Sequence, residues 1–124
     1  MGIPVALDRS RFDHIGIVTE QKKDGESFVE STRVWVTNPR ASPFNVEWLR
    51  FEPDTPVTGL LRVEPHVAYR VDDLAGALEG HTLLAEPFDP TGTGSDFLRV
   101  AFVEVDGAVV ELMQYSNPDE EGWF

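Results

Sequence analysis

Apolar and polar positions alternate with strand periodicity along most of this chain, and one short stretch carries a helical signature. Residues 12–19 form a β-branched, largely apolar run that predicts a first strand, and the polar, charged residues 20–27 predict a loop. From 28 to 37, Thr32, Val34 and Val36 alternate with Arg33, Trp35 and Thr37, which predicts one continuous second strand stopped by Asn38-Pro39. Residues 45–51 predict a third strand. The Pro53-Asp54-Thr55-Pro56 break then makes 53–64 a linker between halves.

The second half opens with a strand at 66–71. Asp72-Asp73 offers an N-cap to a short helix, 74–78, closed by Gly80. His81 follows the helix end, where the dipole favours a cation, and has a structural role. A short strand at 82–85 and a proline and glycine loop at 87–94 come next. The clearest local signal is two apolar runs, 97–105 and 108–115, joined by Asp106-Gly107, which predicts a hairpin with a type I′ turn. The acidic tail, 116–124, predicts a loosely packed end whose Trp123 and Phe124 could dock on a neighbour.

Four polar residues interrupt these apolar strands: His14, Glu47, His66 and Glu111. An ionisable group buried without a partner is costly, so four such groups in four strands are most simply explained if they converge on one ion. Two imidazoles and two carboxylates suit a divalent cation (Zn, Ni, Fe, Mn or Co) and leave coordination positions open for water or substrate. The halves also read as diverged copies about fifty residues apart. Phe-Asp-His-Ile-Gly-Ile-Val and Glu-Pro-His-Val-Ala-Tyr-Arg-Val both open on a histidine, and Glu47 and Glu111 both lie in the last strand of their half. A pseudo-two-fold arrangement would bring the four together. Period-two geometry puts His66, Ala68 and Arg70 on one strand face and Glu111, Met113 and Tyr115 on another, predicting that both faces line a common cavity. Arg33, Trp35, Trp48, Arg50, Tyr69, Arg70 and Arg99 fit cross-strand partners better than pocket walls.

Composition narrows the partners. With 124 residues, 41% of them hydrophobic, the chain suffices for one domain with a real core. A net charge of -12 argues against nucleic acid and against an anionic membrane surface. No apolar run reaches the roughly 18 to 20 residues needed to span a bilayer, and the first residues lack a basic-then-apolar signal pattern. A cytoplasmic protein is expected. The absence of cysteine removes thiolate ligands, disulfides and cysteine nucleophiles.

From residue 12 to 115 the chain resembles the vicinal oxygen chelate superfamily, which includes glyoxalases, bleomycin-resistance proteins and extradiol dioxygenases. That resemblance implies an α+β fold of two βαβββ-type modules forming a cupped mixed sheet, module one at about 12–53 and module two at about 65–116, followed by the acidic tail. It also implies a metal held by His14, Glu47, His66 and Glu111. The first module departs from the pattern, because residues 20–27 are too short and too polar for its helix, so that helix is expected to be reduced or missing.

The chemistry implied is that of a metal-dependent lyase or isomerase acting on a small oxygenated metabolite. The ion would chelate two vicinal oxygens and stabilise an enolate or enediolate while Glu47 or Glu111 shuttles the proton. Three alternatives stand beside it. An iron-dependent extradiol-type dioxygenase would use a two-His, one-carboxylate face. A non-catalytic binding protein of the bleomycin-resistance type would hold a cationic small molecule in an acidic groove, and a fold retained without a catalytic task is the third. The resemblance also implies a homodimer, and loops 20–27 and 87–94 are expected to line the substrate pocket.

Overall fold

The computed structural model describes residues 8–122, so Trp123 and Phe124 lie outside the described residues. Its elements in chain order are β1 (Phe12–Val18), β2 (Ser27–Val29), β3 (Val34–Val36), β4 (Val46–Phe51), α1 (Leu60–Val63), β5 (His66–Arg70), α2 (Leu74–Ala77), β6 (Thr82–Phe88), β7 (Leu98–Val105) and β8 (Ala108–Tyr115). All eight strands join one mixed, curled sheet in the order β2-β3-β4-β1-β5-β8-β7-β6. The β1–β4 and β5–β8 pairs are parallel and the other pairs antiparallel. At the centre, β1 lies beside β5, and each flank runs outward from that pair. With two one-turn α-helices, the fold is of α+β type.

The expected strand at 28–37 is in fact a hairpin of β2 and β3. The chain turns at 30–33, where Arg33 takes a left-handed φ of 51° and its N–H donates to the Glu30 carbonyl at 3.2 Å. Arg33 is fixed there by Glu30 and Asp54, at 3.1 and 3.0 Å. The alternating Thr-Arg-Val-Trp-Val pattern concealed a tight turn that uses neither glycine nor proline. The loop before it, 19–26, contains no helix.

Two further boundaries shift. The 53–64 linker contains α1, entered through Gly59 at φ 68°. The strand expected at 82–85 continues to Phe88, because an edge strand tolerates Pro87 and two irregularities in its pairing with β7. Elsewhere the local chemistry behaves as expected. Asp73 caps α2 by accepting from the Gly76 N–H at 3.2 Å, and Asp106 and Gly107 take the positive φ values, 51° and 87°, of a type I′ turn.

Apolar clusters bury both faces of the β7–β8 hairpin, which explains its nearly continuous apolar sequence. On one face Leu98, Val100, Met113 and Tyr115 pack with Ala68 of β5. On the other, Ala101, Val103, Val110 and Leu112 pack against Leu74 of α2. A third cluster, Val29, Val34 and Val36, holds the first half. The expectation that the two faces line one common cavity is therefore corrected: Ala68 and Met113 pack into the core, His66 and Glu111 line one pocket, and Arg70, Met113 and Tyr115 border a different one. Among the described residues, no helix is long and apolar enough to cross a membrane.

Leu98 is fully buried. Leu98→Ala should cost about 2–5 kcal/mol through lost burial and the cavity left behind, read as a lowered urea midpoint with an unchanged slope.

Candidate metal centre

The sheet register brings the four interrupting residues together. Gly16 of β1 is flanked by Glu47 of β4 and His66 of β5. Two residues earlier, His14 pairs with Ala68, whose other neighbour is Glu111 of β8. Two parallel rows thus cross the middle of the sheet, Glu47-Gly16-His66 and His14-Ala68-Glu111, each with a small residue between its polar ones. The small residue is a steric requirement, because a Cβ on Gly16 would lie 2.1 Å from Cε1 of the His66 ring.

All four side chains are buried, with His14 at 2%, Glu47 at 5%, Glu111 at 6% and His66 at 7% exposure. Glu111 Oε1 lies 3.3 Å from His14 Nε2 and 3.1 Å from His66 Nε2. Glu47 Oε1 lies 3.5 and 3.6 Å from the same atoms. Despite these distances, neither Nε2 is aligned for a hydrogen bond. Two buried nitrogens without a partner, converging with carboxylate oxygens, are a donor set that a divalent cation satisfies. His14, His66 and Glu111, whose ligand atoms lie within 4.8 Å of one another, could hold such an ion. Glu47 stands slightly apart from them.

Comparison with known proteins bears on the fold. No family model matches this chain, and no curated protein sequence matches it. A solved structure shares its fold. The crystal structure of hypothetical protein BH1468 from Bacillus halodurans C-125 superposes with a TM-score of 0.58, over 88% of this chain and 96% of that one, at 19% identity.

Asp13, with no signal of its own in the sequence, also belongs to the centre. The β1–β5 register slips between Phe12 and His14, and the bulge buries consecutive side chains at 13 and 14. Asp13 Oδ2 therefore meets His14 Nδ1 at 2.6 Å. A carboxylate on Nδ1 fixes the tautomer that leaves the Nε2 lone pair free for a ligand role. Asp13 is held in turn by Arg40 at 2.6 Å and Arg70 at 3.0 Å. The remaining Arg70 donors take the backbone carbonyls of Glu120 and Glu121, and Gly122 lies against the Arg40 stem. The acidic tail, expected to be loosely packed, is thereby tied to the arginines that hold Asp13.

These contacts govern protonation. Burial alone would lower the His14 pKa, but Asp13, with Glu111 and Glu47, drives it up from 6.5 to about 12. Burial would likewise raise Glu111, yet its contacts with His14 and His66 hold it well below the usual carboxylate range. The same competition depresses Asp13, with His14, Arg70 and Arg40 outweighing burial. Without metal, His14 is the cation that balances the carboxylates.

The centre forms the floor of a pocket enclosing about 640 Å³ of atom-free space, counting its open mouth. Glu47, His66 and Glu111 face it, while His14 lies beneath. Phe102 stands edge-on to His66 at 5.4 Å and stacks with Phe88 at 6.2 Å. Of the two expected lining loops, 87–94 contributes Phe88 and Pro90, and 20–27 contributes nothing. None of the arginines and aromatics weighed as cross-strand partners lines it. Arg50, for example, pairs with Trp35 across the sheet and with Glu26.

Two outcomes follow. Gly16→Ala should displace the His66 ring and lower metal affinity by at least about tenfold, with the far-ultraviolet circular dichroism retained. Because the folded His14 pKa lies above its unfolded value, its stabilisation is full below about pH 6.5 and is lost as pH rises toward about 12. Urea titrations should therefore show metal-free protein weakening between about pH 6 and about pH 9, while metal uptake, which releases the His14 proton, strengthens over that range.

Proposed function

We propose that this protein is a glyoxalase-like, metal-dependent lyase or isomerase that moves a proton beside a carbonyl of a small oxygenated metabolite. The observation that carries this reading is the convergence of two unpartnered imidazole nitrogens and two carboxylates on the floor of one pocket. The strand order supports it, since each flank runs outward from a central strand as two βαβββ-type modules would, with loop 19–26 in place of the first helix.

A bound divalent ion would supply Lewis acidity that lowers the energy of an enolate or enediolate. The chain's own residues divide the other tasks. His14, His66 and Glu111 form the tighter ligand face. Glu47 is farther from both imidazoles and opens on the same pocket, so its carboxylate is the better placed to take a proton from the carbon beside the carbonyl and return it to a neighbouring atom. Glu111 serves as ligand and as the second candidate for that transfer. Phe102 and Phe88 give the floor an apolar neighbour on one side, where a bound substrate would displace water and strengthen each electrostatic contact. Asp13, held by Arg40 and Arg70, keeps the His14 ring oriented without touching substrate.

One observation favours a second reading. His14, His66 and Glu111 by themselves make a two-His, one-carboxylate face, the set used by iron-dependent oxygenases of the extradiol type. Glu47 separates the two readings, being the proton carrier in the first and dispensable in the second.

Elemental analysis of purified protein after reconstitution should find near-stoichiometric divalent metal that is lost in His14→Ala and Glu111→Ala. Glu47→Gln should retain metal yet slow deuterium exchange at the carbon beside a hydroxyketone carbonyl by about 10²–10⁴-fold, followed by NMR in heavy water. Wild-type protein that takes up no metal would sink both readings. Full exchange activity in Glu47→Gln would sink the first alone.

A further inference from the structure

The pocket above the metal centre has an unusual charge distribution. Its charge-bearing side chains, Glu47, His66 and Glu111, all lie on the floor. The wall is built from aliphatic and aromatic residues such as Val34, Leu49, Phe51, Leu61, Phe88 and Phe102, with Thr32 supplying a hydroxyl. Among the described residues, no lysine or arginine lines it. Arg62 lies 4.9 Å over the Phe51 ring, but α1 contributes Leu61 to the wall instead. Arg50, beside Leu49 and Phe51 in the chain, is engaged with Glu26 and Trp35, and Arg33, between Thr32 and Val34, is engaged with Glu30 and Asp54.

Charge arithmetic at the floor then limits what can enter. Glu47 and Glu111 together cancel a divalent ion, while Asp13 faces two guanidiniums on its far side, and the one positive charge left over there lies outside the pocket, with Arg40 half-exposed to solvent. A neutral ligand leaves the charges that line the loaded pocket balanced. A ligand bearing a carboxylate, phosphate or sulfonate adds a buried negative charge with no wall cation to offset it, in a protein already at -12. The proposed reaction keeps the balance: the substrate carbon loses a proton and becomes negative, and Glu47 gains that proton and becomes neutral.

We infer that the substrate is an uncharged molecule whose apolar body, aromatic or branched aliphatic, lies against the wall while its carbonyl end meets the floor. This specificity rests on the metal-dependent reading above and deepens it. The apolar wall takes the body, as ligand pockets with few polar groups do, and the missing wall cation rejects acidic analogues through an unpaired buried charge. Phosphorylated metabolites, acidic peptides conjugated to small carbonyls, and carboxylated acyl thioesters are excluded on the same ground.

The test uses cobalt(II)-loaded protein titrated calorimetrically with phenacyl alcohol, its para-carboxylate derivative and hydroxyacetone, which share one hydroxyketone head. Phenacyl alcohol should bind at least about tenfold more tightly than either of the others. Thr32→Lys, which places a cation on a half-buried turn of the wall, should keep its cobalt and shrink the gap to the carboxylate below about threefold. Equal or tighter binding of the carboxylate or of hydroxyacetone by wild-type protein overturns the inference while leaving the metal-dependent reading intact. A gap unchanged in Thr32→Lys also overturns it. Failure to take up cobalt overturns the reading and the inference together.

Discussion

The centre of this molecule depends on concentrating negative charge where little water reaches. Asp13, Glu47 and Glu111 are buried within hydrogen-bonding or coordination reach of His14, and carboxylates in such surroundings persist only if cations meet them. Arg40 and Arg70 serve Asp13 from one side. On the other side, a protonated His14 or a divalent ion must serve Glu47 and Glu111. In a centre that can hold a metal ion, that competition would link metal occupancy, protonation and folding stability, and the apolar clusters beside it limit the water that would weaken the coupling.

The sheet makes this concentration possible by alternating large and small side chains across its central strands. Imidazole and carboxylate groups need lateral room in a sheet whose strands are about 4.8 Å apart. Gly16 and Ala68 provide it, one in each row. The pseudo-symmetry is therefore more than a matter of strand order. It extends to a paired steric device, in which His-Ile-Gly in β1 matches His-Val-Ala in β5.

That device is not legible in the sequence, because a glycine or alanine in a strand carries no mark of the ring or carboxylate that will lie beside it. The strands, the Asp106-Gly107 hairpin and the four interrupting residues were legible, since period-two patterning and turn chemistry act locally. The β2–β3 turn was not, because Arg33 adopts its left-handed conformation with support from Asp54, a partner 21 residues away. Asp13 was hidden for a related reason. Strict alternation would point it away from His14, and only the bulge against β5 brings the two together. The pocket wall was equally out of reach, being assembled from Val29 in β2 through Phe102 in β7 and fixed by the sheet's curl rather than by any one segment. Among its members, Leu61 comes from a single helical turn within a stretch that reads as a linker.

Arg70 carries a last consequence. It grips the tail through the backbone carbonyls of Glu120 and Glu121 while its Nε holds Asp13. A carbonyl has the same chemistry whatever side chain accompanies it, so nearly any residue at 120 and 121 would serve. The path of the segment is constrained and its lettering is free, so drift across descendants of this chain should rewrite those positions while preserving their distance from Tyr115, as insertions and deletions there would break the grip.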